Sequence, residues 1–261
     1  MRNPQPLARL CLGSLCMFLA LATRSAPLRT LNVVGELWPP LVLDERASNP
    51  GADMEVCQRV LSRLGYTVKF QVVPWQRALL MAKSGDVDAV IGIGRGLLND
   101  RESYLAYPPE PLSASRLVLF YRKEDGFRYQ GLPSLVGKTI GTTAGYSYPP
   151  DFSHAPYLTL EPAPTVSINL NKLKARRVDL IVADMAMGTH LAESMNLGNL
   201  LAFDPIPIAR TKLYLAFSRS RGLDTLAEAF GVELRRFKQS PAYQEILRKY
   251  QLSAAMIQPE H

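Results

Sequence analysis

Residues 88–107, DAVIGIGRGLLNDRESYLAY, hold the densest chemistry in this chain. An apolar run breaks into glycines at 92, 94 and 96, with Arg95 among them and Arg101 just beyond. Glycine lets a partner approach the main chain. Arginine grips a carboxylate or phosphate through two parallel hydrogen bonds. A small anionic ligand is therefore the expectation. Surface pairing is the plainer alternative for Arg101, but it leaves the alternating glycines without a purpose. A second apolar run, DLIVAD, ends on a carboxylate, Asp184, just ahead of MAMGTHLAESM. Asp184 can cap that helix, face a ligand, or do both. GIGRG resembles part of a dinucleotide fingerprint, but Leu97 stands where the third glycine belongs. His154, His190 and His261 share no metal-ligand spacing, so no metal is expected.

Strands alternating with helices must position these groups. LNVVG (31–35) reads as a buried strand, DMEVCQRVLSRLG (53–65) as a helix stopping at glycine, and YTVKFQVV (66–73) as an alternating strand. PWQRALLMAKSG (74–85) opens on proline and closes on glycine, the usual helix asymmetry. VDAVIGI (87–93) is a further apolar strand. Such alternation implies βαβ units and a mostly parallel sheet.

RALLMAKSGDVDAVIGI (77–93) overlays NLNKLKARRVDLIVAD (169–184) with Asp88 on Asp179, Val87 on Val178 and Lys83 on Lys174. Each is a helix, a tight turn, a Val-Asp pair and an apolar strand. In open α/β sheets ligands bind beyond the carboxyl ends of the strands. Two lobes built this way would set residues 94–101 across a cleft from Asp184. SRLVLFYRK (115–123) and TKLYLAFSR (211–219) read as the two strands crossing between lobes. The C-terminal segment 223–252 reads as two helices broken at Ser240-Pro241 and returning to the first lobe.

At the N-terminus, Arg2 and Arg9 precede an apolar run from Leu10 to Ala22 that ends in Ala20-Leu21-Ala22. That is the build of a secretory signal peptide over 1–22, cleaved after Ala22, with an uncleaved anchor as the alternative, though the run is too short to span a bilayer comfortably. Cys11 and Cys16 leave with it, so Cys57 is the mature chain's only cysteine and no internal disulfide is expected. Cys57 falls on the apolar face of its helix, which points to core rather than a reactive thiol. Losing Arg2 and Arg9 lowers the formal charge from +7 to +5. With no long basic block, nucleic-acid binding is not expected.

Six segments, GELWPP, PWQRALLMAKSGDVDAVIG, NDRESYLAYPPEP, LVGKTIGTTAGYSYP, ARRVDLIVAD and FKQSPAYQEILRKY, occur in the order and spacing of a known family. Together they resemble the type 3 extracellular solute-binding proteins, the periplasmic receptors of ABC importers for polar amino acids. The resemblance covers nearly the whole mature chain. It implies a two-lobed α/β fold of the type II periplasmic binding protein kind, closing on a ligand like a trap. The corresponding division is 23–118 plus 217–261 for lobe 1 and 119–216 for lobe 2.

The resemblance also implies roles. Arg101 falls where the family clamps the ligand α-carboxylate, and Asp184 where a carboxylate takes the α-amino group. Gly94 and Gly96 fall where backbone groups touch the ligand, and the usual hydroxyl is missing at Gly96. Ser147 reads as the start of a helix that could accept an anion, with a plain cap as its alternative. Glu36 and Trp38 lie in a ligand-facing loop; Glu36 could instead be a solvated carboxylate. Trp75 and Arg77 belong to a PWxRA variant, with core packing as the alternative for both Trp38 and Trp75.

The expected protein is an exported, monomeric periplasmic receptor. It would deliver a small zwitterionic or carboxylated solute to an ABC permease, with no cofactor and no catalysis. Two other readings stay open. One is a dehydratase-like enzyme on the same scaffold using Glu36 as acid-base. The other is a ligand sensor docking on a membrane receptor.

Overall fold

The alternation read from the sequence is present, element by element, in a computed structural model that describes residues 29–44, 49–95 and 100–252. The first unit runs β1 (Arg29–Gly35), α1 (Ala52–Arg63), β2 (Tyr66–Val72), α2 (Trp75–Ser84) and β3 (Ala89–Gly94). Gly85 takes the left-handed conformation that ends α2. A short α3 (Arg101–Tyr104) and β4 (Leu105–Ala106) lead into the long β5 (Ser113–Arg122). The second unit runs β6 (Thr139–Thr143), α4 (Pro150–Ser153), β7 (Thr159–Ala163), α5 (Val166–Lys174), β8 (Leu180–Asp184), α6 (Met185–Ser194) and β9 (Leu201–Phe203). The long β10 (Ala209–Ser218) then leads to α7 (Asp224–Lys238) and α8 (Pro241–Lys249). Ser240 caps α8 through its side chain, and Pro241 takes its first turn.

The strand order is β2-β1-β3-β10-β5-β8-β6-β7, with β4 on β10 and β9 on β5. β1 is parallel to β2 and β3, and β6 is parallel to β7 and β8. Between these blocks, β10 and β5 pair antiparallel to each other and to their outer neighbours β3 and β8. The fold is thus two α/β lobes joined through two long strands.

The internal repeat has a physical purpose. Asp88 accepts from the Asn32 N–H at 2.8 Å, and Asp179 accepts from the Thr139 N–H at 2.8 Å. The Asp88 and Asp179 N–H groups donate back to the same two residues. Each Val-Asp pair therefore pins the entry of its strand to a parallel neighbour, once per lobe.

Apolar burial divides the same way. One core gathers β1, α1, α7 and α8 around Leu31, Cys57, Phe217, Phe230 and Phe237, with Val90, Ile93 and Tyr214 on the sheet's other face. Around β5, β8, α5 and α6 another core gathers Val118, Phe120, Leu170 and Ile181. Leu119, Leu135, Ile140 and Phe152 fill that lobe's second face. Cys57 is fully buried, and burial pushes its thiol pKa well up. A thiol reagent should label it only after denaturation, and reducing agent should leave the melting temperature unchanged. Rapid labelling of native protein would contradict this packing. Residues 1–22, where the sequence leads one to expect a signal peptide, lie outside the described residues. No helix among those described is long and apolar enough to cross a membrane.

Candidate ligand-binding site

The carboxyl end of β3 opens the site. Tyr214 pairs with Ile93 and Leu215 with Ile91, so Gly92 is an extra residue on β3 with no partner on β10. Its φ of 77° lies in the left-handed region that glycine enters freely. A Cβ there would meet nothing within 4 Å, so backbone conformation rather than crowding calls for glycine. Arg101 begins α3 and is 6% exposed. Its guanidinium carbon lies 5.8 Å from the centroid of the Trp75 ring. Among the described residues no carboxylate pairs with it. A buried cation without a counter-charge is costly, and this one faces open space.

That space is a cleft of about 490 Å³ lined by Trp38, Trp75, Gly92, Gly94, Arg101, Ser115, Leu117, Tyr146, Ser147, Thr211 and Leu213. Each lobe contributes a wall, and β5 and β10 supply the floor. Trp38 spans the walls, packing against cores on both sides. The Tyr146 ring lies parallel to it, with centroids 5.7 Å apart and planes 3° from parallel.

A smaller chamber of about 260 Å³ adjoins the cleft through Trp38, Trp75, Gly92 and Leu213, and adds Glu36, Asp53, Leu41, Val42 and Ile91. Burial raises the Glu36 pKa, with Tyr146 nearby pulling it down. Burial also pushes Asp53 up to about 7, against the Ser113 hydroxyl that donates to it at 2.6 Å. Glu36 Oε2, Trp38 Nε1 and the Tyr146 hydroxyl are buried with no hydrogen-bond partner.

Asp184 sits deeper. It is 3% exposed and caps α6 by accepting from the Met187 N–H at 3.0 Å. Its other oxygen accepts from the Ser115 hydroxyl at 2.7 Å and the Arg116 N–H at 3.1 Å. Burial raises its pKa while these donors oppose the rise. It is near the cleft but behind Ser115, and it is absent from the lining.

The structure therefore gathers Arg101, Gly94, Trp38, Trp75 and Ser147 in the cleft and Glu36 beside it. Gly96 lies outside the described residues. Arg77 is exposed on α2 and takes no part in the lining. Ser147 does not start a helix: α4 begins at Pro150 with Pro149 as cap, because proline suits the first helical turn. The sequence reading missed Tyr146, Ser115, Leu117, Thr211, Leu213 and Asp53. Alternation along the crossing strands puts Ser115 and Leu117 on one face, and Thr211 and Leu213 on another. That signal could have found the floor.

The sequence matches the Bacterial extracellular solute-binding proteins, family 3, over residues 31–253. The chain belongs to this family. None of the curated proteins matches it in sequence. Among solved structures it is similar to a histidine kinase sensor domain that itself resembles periplasmic binding proteins. That match has a TM-score of 0.73 and 23% identity, over 86% of this chain and 96% of the other. It is also similar to a mutant of ArgBP from T. maritima, at TM-score 0.71 and 21% identity over 85% and 95%. A third is an ABC uptake transporter substrate-binding protein from Streptococcus pneumoniae with bound histidine, at TM-score 0.70 and 20% identity over 85% and 92%. At these identities the likeness establishes the two-lobed periplasmic-binding fold for this family 3 chain.

Proposed function

We propose that this family 3 protein captures a small carboxylated solute of amino-acid size between its lobes and delivers it to an ABC importer from the periplasm. The buried Arg101 guanidinium, facing a cleft and lacking a carboxylate partner among the described residues, carries the reading. In it Arg101 holds the ligand carboxylate. Main-chain groups at Gly94 and the Ser147 hydroxyl flank that carboxylate, while Trp38 and Trp75 cover the ligand body. Glu36 and Asp184 supply the negative side of the site. Arg77 is left to the surface of α2. Residues 23–118 with 217–261 act as one lobe and 119–216 as the other, closing about β5 and β10. The clustering of the cores on either side of those strands supports this division.

A second reading, a sensor module that hands a bound-state signal to a membrane receptor, is favoured by the likeness to a histidine kinase sensor domain. Both readings need the same ligand-driven closure. A melting-temperature screen of carboxylates should find compounds that stabilise the native state by mass action. Small-angle scattering with such a compound should show a smaller radius of gyration. Stabilisation without compaction would rule out closure.

A further inference from the structure

The outer cleft and the inner chamber meet at a throat framed by four residues that line both: Trp38, Trp75, Gly92 and Leu213. Gly92 keeps one side of it free of any side chain, and a Cβ there would meet nothing within 4 Å. The way inward from Arg101 therefore runs past two indoles. Indole faces attract cations, as the Arg101 guanidinium near the Trp75 ring already shows.

The two ends of this path differ in charge. Arg101 is the only charged residue lining the outer cleft, whereas two acids, Glu36 and Asp53, line the chamber with no basic side chain among them. Apolar and aromatic side chains make up the rest of the chamber wall. Glu36 Oε2 is buried without a hydrogen-bond partner. Asp53 is held by a neutral donor, the Ser113 hydroxyl. Burial raises the proton affinity of both acids, as it does wherever lost hydration is not made good. A buried acceptor without a donor is costly, and a buried carboxylate without a cation is more so. A cationic ligand tip supplies donor and charge together.

We propose that the inner chamber receives the cationic tip, an ω-ammonium or guanidinium, of a solute whose carboxylate is held at Arg101, so that the site selects basic amino acids. This rests on the reading that the cleft binds a carboxylated solute, and it adds the chemistry of the ligand's far end. The ligand body lies in the throat beside Trp38 and Trp75. Glu36 presents its unused acceptor to the tip, and Asp53 adds charge from the wall where Ser113 fixes it. An apolar tip of the same length would fill the chamber and leave both acids unanswered, which is the source of the selectivity.

Calorimetric titration with four six-carbon carboxylates separates the two ends: hexanoate, L-norleucine, 6-aminohexanoate and L-lysine. They carry no amine, an α-amine, an ω-amine and both. The five-carbon set, pentanoate, L-norvaline, 5-aminovalerate and L-ornithine, tests a shorter reach. In at least one set the ω-amine should tighten wild-type binding by roughly ten- to a hundredfold, the value of one hydrogen bond to a charged group. Glu36→Gln and Asp53→Asn keep the side-chain size and remove one acid each, and both should lower that ratio. Equal affinity with and without the ω-amine in both sets, or an ω-amine gain that survives both substitutions, would overturn the proposal. A gain confined to the α-amine would place charge recognition in the outer cleft and overturn it too. Silence from every compound would instead sink the carboxylate reading and take this inference with it.

Discussion

Arg101→Ala is expected to weaken binding of a carboxylated ligand by about two to three and a half orders of magnitude. In the closed cleft the guanidinium and the ligand carboxylate are both removed from water. Deleting one strands the other, at about 3–5 kcal/mol, and each 1.4 kcal/mol is about tenfold in affinity. Arg101→Lys keeps the charge and loses the planar fork, so it should fall between wild type and alanine. The unliganded protein should melt no lower in either variant, since no described carboxylate depends on Arg101. Titration with any carboxylate found by the melting screen decides it. If the alanine variant binds like wild type, the glycine-arginine stretch is only a turn.

What the sequence displayed, and what it hid, follows from the range of the interactions involved. Periodicity, the proline opening α2 and the glycines ending α1 and α2 are local, so these elements were legible. The Val-Asp repeat was legible as a pattern. Its purpose, tying Asp88 to Asn32 and Asp179 to Thr139, needed the parallel pairing of strands far apart in the chain.

Arg101 was legible because glycines and an arginine together leave few structural uses. Arg77 looked equally chemical, but helix phase decides where it points. With Ala78 and Ala82 turned into the core, Arg77 faces solvent. Tyr146 was hidden for the opposite reason: its partner Trp38 lies across the cleft, more than a hundred positions earlier in the chain. Asp53 is one of two acids in the first turn of α1, where a carboxylate offsets the helix dipole. Nothing local revealed that Leu41, Ser113 and the inner chamber would enclose it.

That enclosure gives the last expected result: Asp53→Asn should stabilise the protein above neutral pH and have almost no effect near pH 4. The folded carboxyl titrates at about 7 against an ordinary value of 3.8, chiefly because burial disfavours the charge. Ser113 and the Lys238 ammonium favour the charged form, and the Asp184 charge opposes it, but burial outweighs them. Between those two pH values the native chain holds a proton that the unfolded chain has released. Stability therefore falls as pH rises through this window, opposite to the usual case of an ion-paired aspartate. At roughly 1.4 kcal/mol per pH interval of one, the wild type has lost up to about 4 kcal/mol by pH 8 or so. Asparagine is close in shape, cannot ionise, and still offers a carbonyl oxygen to the Ser113 hydroxyl. Urea unfolding of both proteins at about pH 4 and about pH 8 should show curves that coincide at the first and separate at the second. A variant less stable than wild type at the higher pH would mean that the carboxylate, held by Ser113 and drawn by Lys238, is the form the fold is built around.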